Sequence, residues 1–380
     1  MKQYRIPFNK PSFAGDEGRY IAEAIERGHI SGDGHFTKSC HRLLEQSLGA
    51  HKALLTTSCT HALEMSAFLT NCGPEDEVIV PSFAFVTTVL AFTLRGTKPI
   101  FADVRPDTLN LDEKQVEGLV TKRTKAIVAL HYAGVSCEMD ALLDIGRRHG
   151  IPVVEDNAHG LFGKYKGRWM GTLGVVGTQS FHETKNFTCG EGGALLVNDP
   201  ALAERAEILR EKGTNRSKFM RGLVHKYTWV DQGSSWLPSD ILAAFLLAQL
   251  EARETIQARR AVLWRRYAQD LGDWAAERGI QLPHVPAHCE QPYHMYYVLL
   301  KDTAQRERLI THLEERGILA VFHYLPLNLS DMGRRYGGYD GQCPVSENVS
   351  SRILRLPFFN KLTDDEQSDV IGACLDFRGL

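Results

Sequence analysis

The 380-residue sequence lacks any hydrophobic run long enough to cross a bilayer. Its longest apolar stretch, VIVPSFAFVTTVLAF (78–92), is interrupted by Pro81 and Ser82 and falls short of the roughly 20 residues that a membrane-spanning helix needs. The N-terminal residues MKQYRIPFNKPSF also lack the apolar core of a secretory signal. Both absences predict a cytoplasmic protein that has no membrane partner.

A surplus of charge of either sign is missing as well. The chain carries 44 Lys and Arg against 46 Asp and Glu, which gives a net charge of −2. Nucleic acids and anionic lipid surfaces bind proteins through concentrated basic patches. The balance therefore predicts that nucleic acid is not a partner.

Cysteine and histidine motifs for metals are absent too. No two of the eight cysteines have a CxxC spacing, and the fifteen histidines form no HExxH motif. We therefore expect free thiols, as in most cytosolic proteins, and no metal site.

Short β-rich runs recur along the chain, separated by helix-like segments such as 60–71 and 137–150. These runs are 53–57, 77–81, 99–104, 126–132, 152–156, 178–182 and 193–197. Alternating strands and helices predict an α/β fold with a mainly parallel central sheet flanked by helices. Several runs lack polar alternation, which is typical of strands that are covered on both faces.

The length of the chain predicts two domains. A helical pattern over 239–271 is too long for one compact helix, so we expect it to bend or break as it enters the second domain. Beyond it the sequence predicts a strand, a helix and a strand at 293–300, 303–317 and 319–326. We therefore predict a large α/β domain over 1–250 and a smaller α+β domain over 251–380.

Small polar residues follow the first run, where Ser58, Cys59 and Thr60 open a helical segment. Ligands bind beyond the carboxyl ends of the strands in open α/β sheets. The first amides of a helix are unpaired and lie at the positive end of its dipole, so this position suits a phosphate. The alternative is an ordinary Ser or Thr cap that binds no ligand.

Three further side chains follow other runs: Phe85, Asp156 and Lys185. Taken singly, they have ordinary explanations as a core aromatic, a helix cap or solvated acid, and a surface lysine. Together with the phosphate seat, they match the requirements of pyridoxal phosphate. The lysine would bind the cofactor covalently, and the carboxylate would keep the pyridine nitrogen protonated.

Six sequence blocks occur in the order of a known family. They are ISGDGHFT, TTSCTHALEM, PSFAFV, VVEDNAHG, SFHETKNFTCGEGG and Y-LPLN, and the similarity extends from about residue 5 to 375. The chain thereby resembles the DegT/DnrJ/EryC1/StrS sugar aminotransferases, which are fold type I pyridoxal-phosphate enzymes. Four further blocks, HYAGVSCEMD, REKGTNRSKF, KYTWVDQGSSWLPSD and AVFHYLPL, resemble the branch of dTDP-4-amino-4,6-dideoxygalactose transaminases.

The resemblance implies a role for each candidate residue. Lys185 is the lysine that carries the cofactor, and Asp156 is the partner of its ring nitrogen. The residues implied in holding the rest of the cofactor are Ser58, Cys59, Thr60 and Ser180 at the phosphate, Phe85 on the ring and His159 near the ring hydroxyl. His182 either orients this neighbourhood or is a satisfied core histidine.

Two positions depart from the broader family. Many members have an Asn-Tyr-Arg unit that reaches the phosphate of the neighbouring subunit, and here the equivalent residues are Ser235, Trp236 and Leu237. Ser235 can still donate a hydrogen bond, whereas Leu237 cannot replace an arginine. Leu90 stands where many relatives have Asn. The resemblance implies a homodimer with shared active sites, in which Ser235 contributes to cofactor binding.

The implied activity is amino transfer from L-glutamate to C4 of a nucleotide-linked 4-keto-6-deoxyhexose. It would convert dTDP-4-keto-6-deoxy-D-glucose to a dTDP-4-amino-4,6-dideoxyhexose of galacto or gluco configuration. One alternative is a sugar dehydratase, although the dehydrating relatives have His in place of the lysine. The others are a non-catalytic regulator on the same fold and a nicotinamide oxidoreductase, which the lack of a GxGxxG motif after a strand disfavours.

Overall fold

A computed structural model of the chain describes residues 3–378. The strands are β1 (Lys52–Thr56), β2 (Glu77–Pro81), β3 (Lys98–Ala102), β4 (Thr124–Leu130), β5 (Val153–Asp156), β6 (Lys164–Tyr165), β7 (Arg168–Trp169), β8 (Val176–Ser180), β9 (Gly193–Val197), β10 (Cys289–Glu290), β11 (Tyr297–Leu299) and β12 (Ile353–Arg355).

The helices lie mostly between these strands. They are α1 (Glu17–Glu26), α2 (His35–Leu48), α3 (Cys59–Leu69), α4 (Thr87–Thr93), α5 (Glu113–Leu119), α6 (Met139–His149), α7 (Pro200–Arg210), α8 (Arg216–Met220), α9 (Asp240–Glu251), α10 (Arg253–Asp270), α11 (Gly272–Arg278), α12 (Thr303–Glu315), α13 (Asp331–Arg335), α14 (Pro344–Arg352) and α15 (Asp364–Leu375).

The central sheet has seven strands in the order β1-β9-β8-β5-β4-β2-β3. Only β9 is antiparallel to its neighbours, so the predicted, mainly parallel sheet is confirmed. All seven predicted strands belong to it, with ends displaced by at most two residues. The small sheets are β10-β6-β7 and β11-β12.

Helices cover both faces of the central sheet because neighbouring apolar residues on a strand point to opposite sides. Leu54 packs in a cluster with residues of α3 and α7, whereas Leu55 packs with residues of α2 and α9. In the same way Val78 and Ile79 belong to different clusters. This double cover explains why the strands appear in the sequence as nearly continuous apolar runs.

The predicted break in the long helical pattern is observed at Ala252, between α9 and α10. Beyond it a separate apolar cluster extends from Leu263 to Phe377, and Ile6 from the start of the chain packs into it. The division at 250 and 251 stays a prediction. In the described part of the chain, no helix is both long and apolar enough to cross a membrane.

The predicted strand at 319–326 is wrong. Only Val321 forms a bridge there, to Arg355, and the backbone turns at Tyr324, which has a positive φ of 21°. Pro326 follows and has no amide hydrogen for a strand ladder. The predicted strand at 293–300 is shorter than expected, because only Tyr297–Leu299 is extended and paired.

Candidate active site

Several strands end at one edge of the sheet. Because β1 and β8 are both antiparallel to β9, they are parallel to each other and to β5. Ser58 follows the end of β1, Asp156 ends β5, and Ser180 ends β8 five residues before Lys185. The fold therefore brings the predicted phosphate seat, carboxylate and lysine to the same edge.

Gly193 allows two segments of the backbone to approach each other closely at this edge. It pairs with Thr56 on one side and Ser180 on the other. A Cβ atom on Gly193 would lie 2.4 Å from the amide nitrogen of Cys59 and from the carbonyl carbon of Ser58. Only glycine fits there, so β9 holds the start of α3 beside Ser180.

The start of α3 has the geometry of an anion site as well as an ordinary cap. The Ser58 hydroxyl oxygen accepts a hydrogen bond of 3.1 Å from the amide of His61. The amides of Cys59 and Thr60 precede any possible acceptor within the helix, and no acidic residue lies in the first turn. Burial, and secondarily the charge of Asp156, raises the pKa of the Cys59 thiol, which stays neutral. These features fit a phosphate dianion.

The carboxylate of Asp156 is buried and accepts two hydrogen bonds. Its Oδ2 accepts from the Thr88 hydroxyl at 2.7 Å, and its Oδ1 accepts from the amide of Ala158 at 3.2 Å. Burial raises the pKa of this carboxyl group. As expected from strand alternation, Glu155 has different partners, including His131 at 2.9 Å. A protonated ring nitrogen is a chemically suitable further partner for Asp156.

Lys185 is half-buried on the loop after β8. Burial lowers the pKa of Lys185 to about 8, with the positive charge of Arg355 adding to the shift and Cys59 and Asp156 opposing it. With that pKa, roughly a tenth of the amine is neutral at pH 7. The loop is closed by a 2.9 Å bond from the Lys185 amide to the His182 carbonyl and by Gly190, whose φ is +85°. The residues present therefore fit pyridoxal phosphate.

We expect the apoprotein to take up pyridoxal phosphate at a rate that rises with pH and levels off just above pH 8. The neutral amine attacks the aldehyde, so lowering the pKa of Lys185 moves this rise to lower pH. Absorbance after stopped-flow mixing gives the rate. N-acetyl-lysine in solution is the control, and its rate should still rise up to pH 10 and beyond, near its ordinary pKa. The same profile for the protein would contradict the assignment.

His159 is buried at the site in a stack of aromatic rings. Its Nδ1 accepts from the Ala133 amide at 3.3 Å, and its ring is stacked on His294 with centroids 4.4 Å apart. Its Nε2 lies 3.4 Å from the Tyr324 hydroxyl. Burial lowers the pKa of His159, so the ring is a neutral group at pH 7 and can donate through Nε2.

His294 links this stack to the lysine loop. Its Nδ1 lies 2.9 Å from the side-chain oxygen of Asn186, the residue after Lys185. The Asn186 amide donates in turn to the carbonyl of Pro292 at 2.7 Å, so its oxygen accepts from His294. The hydrogen bonds of Asn186 with His294 and Pro292 therefore hold the loop that carries Lys185 in place.

Phe85 lies at the open side of the site. Its ring is 54% exposed and lies 6.1 Å from the ring of Tyr324, so it is not the core aromatic of the alternative explanation. His182 is not a core histidine either, since its side chain is 41% exposed and its Nδ1 lies 3.0 Å from the Thr184 hydroxyl. The hydrogen bond between His182 and Thr184 closes the turn before Lys185, so His182 can orient this loop.

Ser235 is exposed and forms a bridge to Glu211. A 3.0 Å bond from the Thr57 amide to the Trp236 carbonyl connects its segment to the phosphate seat of the same chain. Its role in binding the cofactor stays a prediction.

The sequence did not single out Thr88, His294, His323, Tyr324 or Arg355. Thr88 could have been found from the sequence, because it lies three residues after Phe85. In a helical turn, side chains three residues apart lie on the same side. The other four come from the C-terminal part, where Arg355 ends the short strand β12 and the remaining three lie outside the strands.

Comparison with known proteins agrees with this arrangement. Residues 11–375 match the model of the DegT/DnrJ/EryC1/StrS aminotransferase family. The chain is 31% identical over 383 residues to the spore coat polysaccharide biosynthesis protein SpsC of Bacillus subtilis, with 99% of this chain and 97% of SpsC covered.

Solved structures of similar proteins share the fold, and one of them is a form that contains pyridoxal phosphate. The aminotransferase TlmJ from Streptoalloteichus hindustanus is 32% identical, with a TM-score of 0.88 over 97% of both chains. The PLP form of Spr1654 from Streptococcus pneumoniae is 27% identical, with a TM-score of 0.89 over 98% of both chains. The chain therefore belongs to the DegT/DnrJ/EryC1/StrS aminotransferase family and is a sugar aminotransferase that depends on pyridoxal phosphate.

Proposed function

We propose that the enzyme transfers the amino group of L-glutamate to C4 of dTDP-4-keto-6-deoxy-D-glucose. The products are 2-oxoglutarate and a dTDP-4-amino-4,6-dideoxyhexose, of galacto or gluco configuration. The choice of substrate is supported by the resemblance of four sequence blocks to the dTDP-4-amino-4,6-dideoxygalactose transaminases, and two of these blocks meet beside His159. Tyr132 of HYAGVSCEMD and His323 of AVFHYLPL are joined by a 2.8 Å hydrogen bond.

The residues of the edge would hold the cofactor in a defined way. The start of α3 and Ser180 would bind the phosphate, Asp156 the ring nitrogen and Phe85 one ring face. Lys185 would bind the aldehyde carbon covalently. When bound, pyridoxal phosphate supplies an electron-withdrawing ring that makes an adjacent carbon acidic.

Lys185 would act as the proton carrier in both halves of the reaction. As a free amine it would remove the proton from Cα of glutamate, and later it would return a proton to C4 of the sugar. The lowered pKa of about 8 favours this role, because an ordinary lysine would be almost fully protonated at pH 7. The face from which Lys185 approaches C4 sets the configuration of the product.

The experiment that tests this function is incubation of the holoenzyme with dTDP-4-keto-6-deoxy-D-glucose and L-glutamate, followed by NMR of the purified product. An amine at C4 is the expected result, and the H4 coupling constants assign galacto or gluco. A product that has lost a hydroxyl and carries no amine would favour the dehydratase instead. Amination of free keto acids without any of dTDP-sugars would also contradict the proposal.

We propose further that the enzyme is a homodimer with shared active sites. One face of α4 and the turn before it expose apolar side chains at helical spacing, namely Val86, Leu90 and Leu94 beside Phe85. A second exposed apolar group begins at the end of α8, namely Met220, Leu223 and Trp229. Stable monomers rarely leave such patches uncovered. A partner subunit would cover them and exclude water from the cofactor.

Subunit complementation is expected between Lys185→Ala and Ser235→Trp. If Ser235 reaches the phosphate of the partner, both lesions fall in one site of the heterodimer and the other site is intact. Each heterodimer should then have half the active sites of a parental dimer. Because Ser235 is exposed, a bulky side chain there should not disturb the single chain.

Native mass spectrometry must show that heterodimers have formed in the mixture. Heterodimers without activity would place Ser235 in the site of its own chain, as the bond between Thr57 and Trp236 would allow. Ser234→Trp is the matched control, since the neighbouring serine is equally exposed and has no predicted role.

A further inference from the structure

The lysine loop is tied to distant parts of the chain through Asn186, the residue after Lys185. The Asn186 amide donates to the Pro292 carbonyl at 2.7 Å and to Oε1 of Gln257, on α10, at 3.4 Å. Its oxygen accepts from Nδ1 of His294 at 2.9 Å. Even the nearest of these partners lies 71 residues further along the chain, so tertiary contacts rather than local structure place this loop.

His294 is itself held on two sides that do not involve the loop. Its carbonyl and that of Tyr293 accept from the buried guanidinium of Arg260, on α10. Its ring is stacked on the ring of His159, with the centroids 4.4 Å apart and the planes 19° from parallel. His294 is therefore a fixed point to which Asn186 can attach the lysine loop.

The hydrogen bond with Asn186 also fixes the tautomer of His294. Because the Asn186 amide is already a donor to two oxygens, its own oxygen must accept, and Nδ1 of His294 must carry the proton. Burial lowers the pKa of His294, so the ring is neutral at pH 7. His294 thus holds the loop of Lys185 without adding a second positive charge beside the amine.

The burial of Lys185 depends on the position of this loop. Burial is the main cause of its lowered pKa of about 8; the charge of Arg355 adds to the shift, and Cys59 and Asp156 oppose it. The other titratable groups that face the amine are His159, His294 and His323, which burial keeps neutral. If the loop moved towards water, the amine would be less desolvated and its pKa would rise towards the ordinary value of lysine.

We propose that Asn186 and His294 are a positioning pair, which keeps the amine of Lys185 in its buried place and thereby available as a neutral base and nucleophile. The two residues act through Lys185 and need no contact with a substrate. The inference goes beyond the proposed function, because it concerns the lysine that any substrate of this enzyme would meet. It also implies that the C-terminal part of the chain sets the reactivity of a lysine on the large sheet.

Uptake of pyridoxal phosphate by the apoprotein, measured by stopped-flow absorbance as a function of pH, tests the pair in His294→Phe. Phenylalanine keeps a ring against His159 but has no donor for Asn186. We expect the pH midpoint of the rate to rise by about one unit, with an unchanged limiting rate at high pH. Uptake at pH 7 should then be about tenfold slower. Since His294 is neutral, its loss removes no charge, and a more apolar ring alone would shift the midpoint the other way.

Further variants separate the hydrogen bond from the ring. His294→Asn places an amide donor near the position of Nδ1 and should restore most of the parental midpoint. Asn186→Ala should behave like His294→Phe, and combining the two should add little, because both remove the same bond. His312→Phe is the matched control and should keep the parental profile. Nε2 of His312 donates to the Ala373 carbonyl at 2.9 Å, and its ring lies 5.3 Å from that of Phe377 in the C-terminal cluster.

NMR of apoprotein labelled with ¹⁵N in its histidines measures the tautomer without any reaction. The signal that is missing in His294→Asn should belong to a neutral ring that carries its proton on Nδ1 at pH 7. Circular dichroism and thermal midpoints show whether each variant has folded, and the tautomer in the parent decides the case if the variants have not.

Three results would overturn the inference. Unchanged midpoints in both His294→Phe and Asn186→Ala would show that the pair does not position Lys185. A lower limiting rate at high pH, without a shift of the midpoint, would show that the substitutions only damage the cofactor pocket. Equal shifts in His294→Asn and His294→Phe, or a proton on Nε2 of His294, would show that the hydrogen bond is not the cause. No amino acid or sugar takes part in these measurements, so failure of the proposed function would leave their outcome unchanged.

Discussion

Replacement of Lys185 by alanine is expected to give a folded protein that lacks the aldimine absorbance and has a transaminase rate lowered on the order of 10⁴-fold. The change removes both the covalent attachment of the cofactor and the group that carries the proton between the reacting carbons. Lys185 is half-buried and lies on a loop outside the cores of the molecule, so its loss should not affect folding. Absorbance, circular dichroism and the rate of 2-oxoglutarate formation are the measurements.

Lys166→Ala is the matched control for this change. Lys166 belongs to the same part of the chain but is exposed, and its ammonium group pairs with Asp140 at 2.8 Å. The Lys166→Ala variant should keep the colour and the activity of the parent enzyme. If Lys185→Ala remained yellow and active, another amine would carry the cofactor and the assignment of the site would be wrong.

Asp156→Asn is expected to retain the cofactor but to lose activity by a factor on the order of 10² or more. Asn has no negative charge with which to hold the ring nitrogen protonated, so the ring withdraws electrons less strongly. The amide oxygen can still accept from Thr88, which donates to Asp156 at 2.7 Å. Single-turnover rates with glutamate, at equal cofactor occupancy, measure the effect.

The same substitution should leave the stability of the apoprotein unchanged or slightly raised. Burial raises the pKa of Asp156 above that of the unfolded chain, so the charged form costs folding free energy at neutral pH. Removing this charge removes that cost, and the thermal midpoint should not fall. Asp144→Asn is the control, since this exposed aspartate pairs with Arg148 at 2.8 Å far from the edge of the sheet. Parental turnover in Asp156→Asn would show that the ring nitrogen has another partner.

The sequence was sufficient to predict the central sheet and the residues that follow its strands. Runs such as 77–81 and 193–197 are buried at every position because both faces of these strands are covered by helices. The ends of such strands are readable from the sequence: Asp156 ends β5, Ser58 lies two residues after β1, and Lys185 lies five residues after β8. Parallel pairing then brings these residues together without any knowledge of tertiary contacts.

The part of the site contributed by the C-terminal half could not be predicted in this way. Tyr324 and His323 lie on a segment that is aromatic and apolar like a strand, yet a positive φ at Tyr324 turns it towards His159. Such a conformation depends on the surrounding packing rather than on local preference. Arg355 was missed because a single arginine after an apolar pair has no distinctive pattern.

The covalent position of the cofactor shows whether Lys185 is the lysine that carries it. Reduction of the holoenzyme with sodium borohydride fixes pyridoxal phosphate to the amine that carries it, and mass spectrometry of a protease digest locates the modified lysine. We predict one modified peptide, containing SFHETKNFTCGEGG (180–193), with the added mass on Lys185. Modification of any other lysine, with Lys185 unmodified, would contradict it.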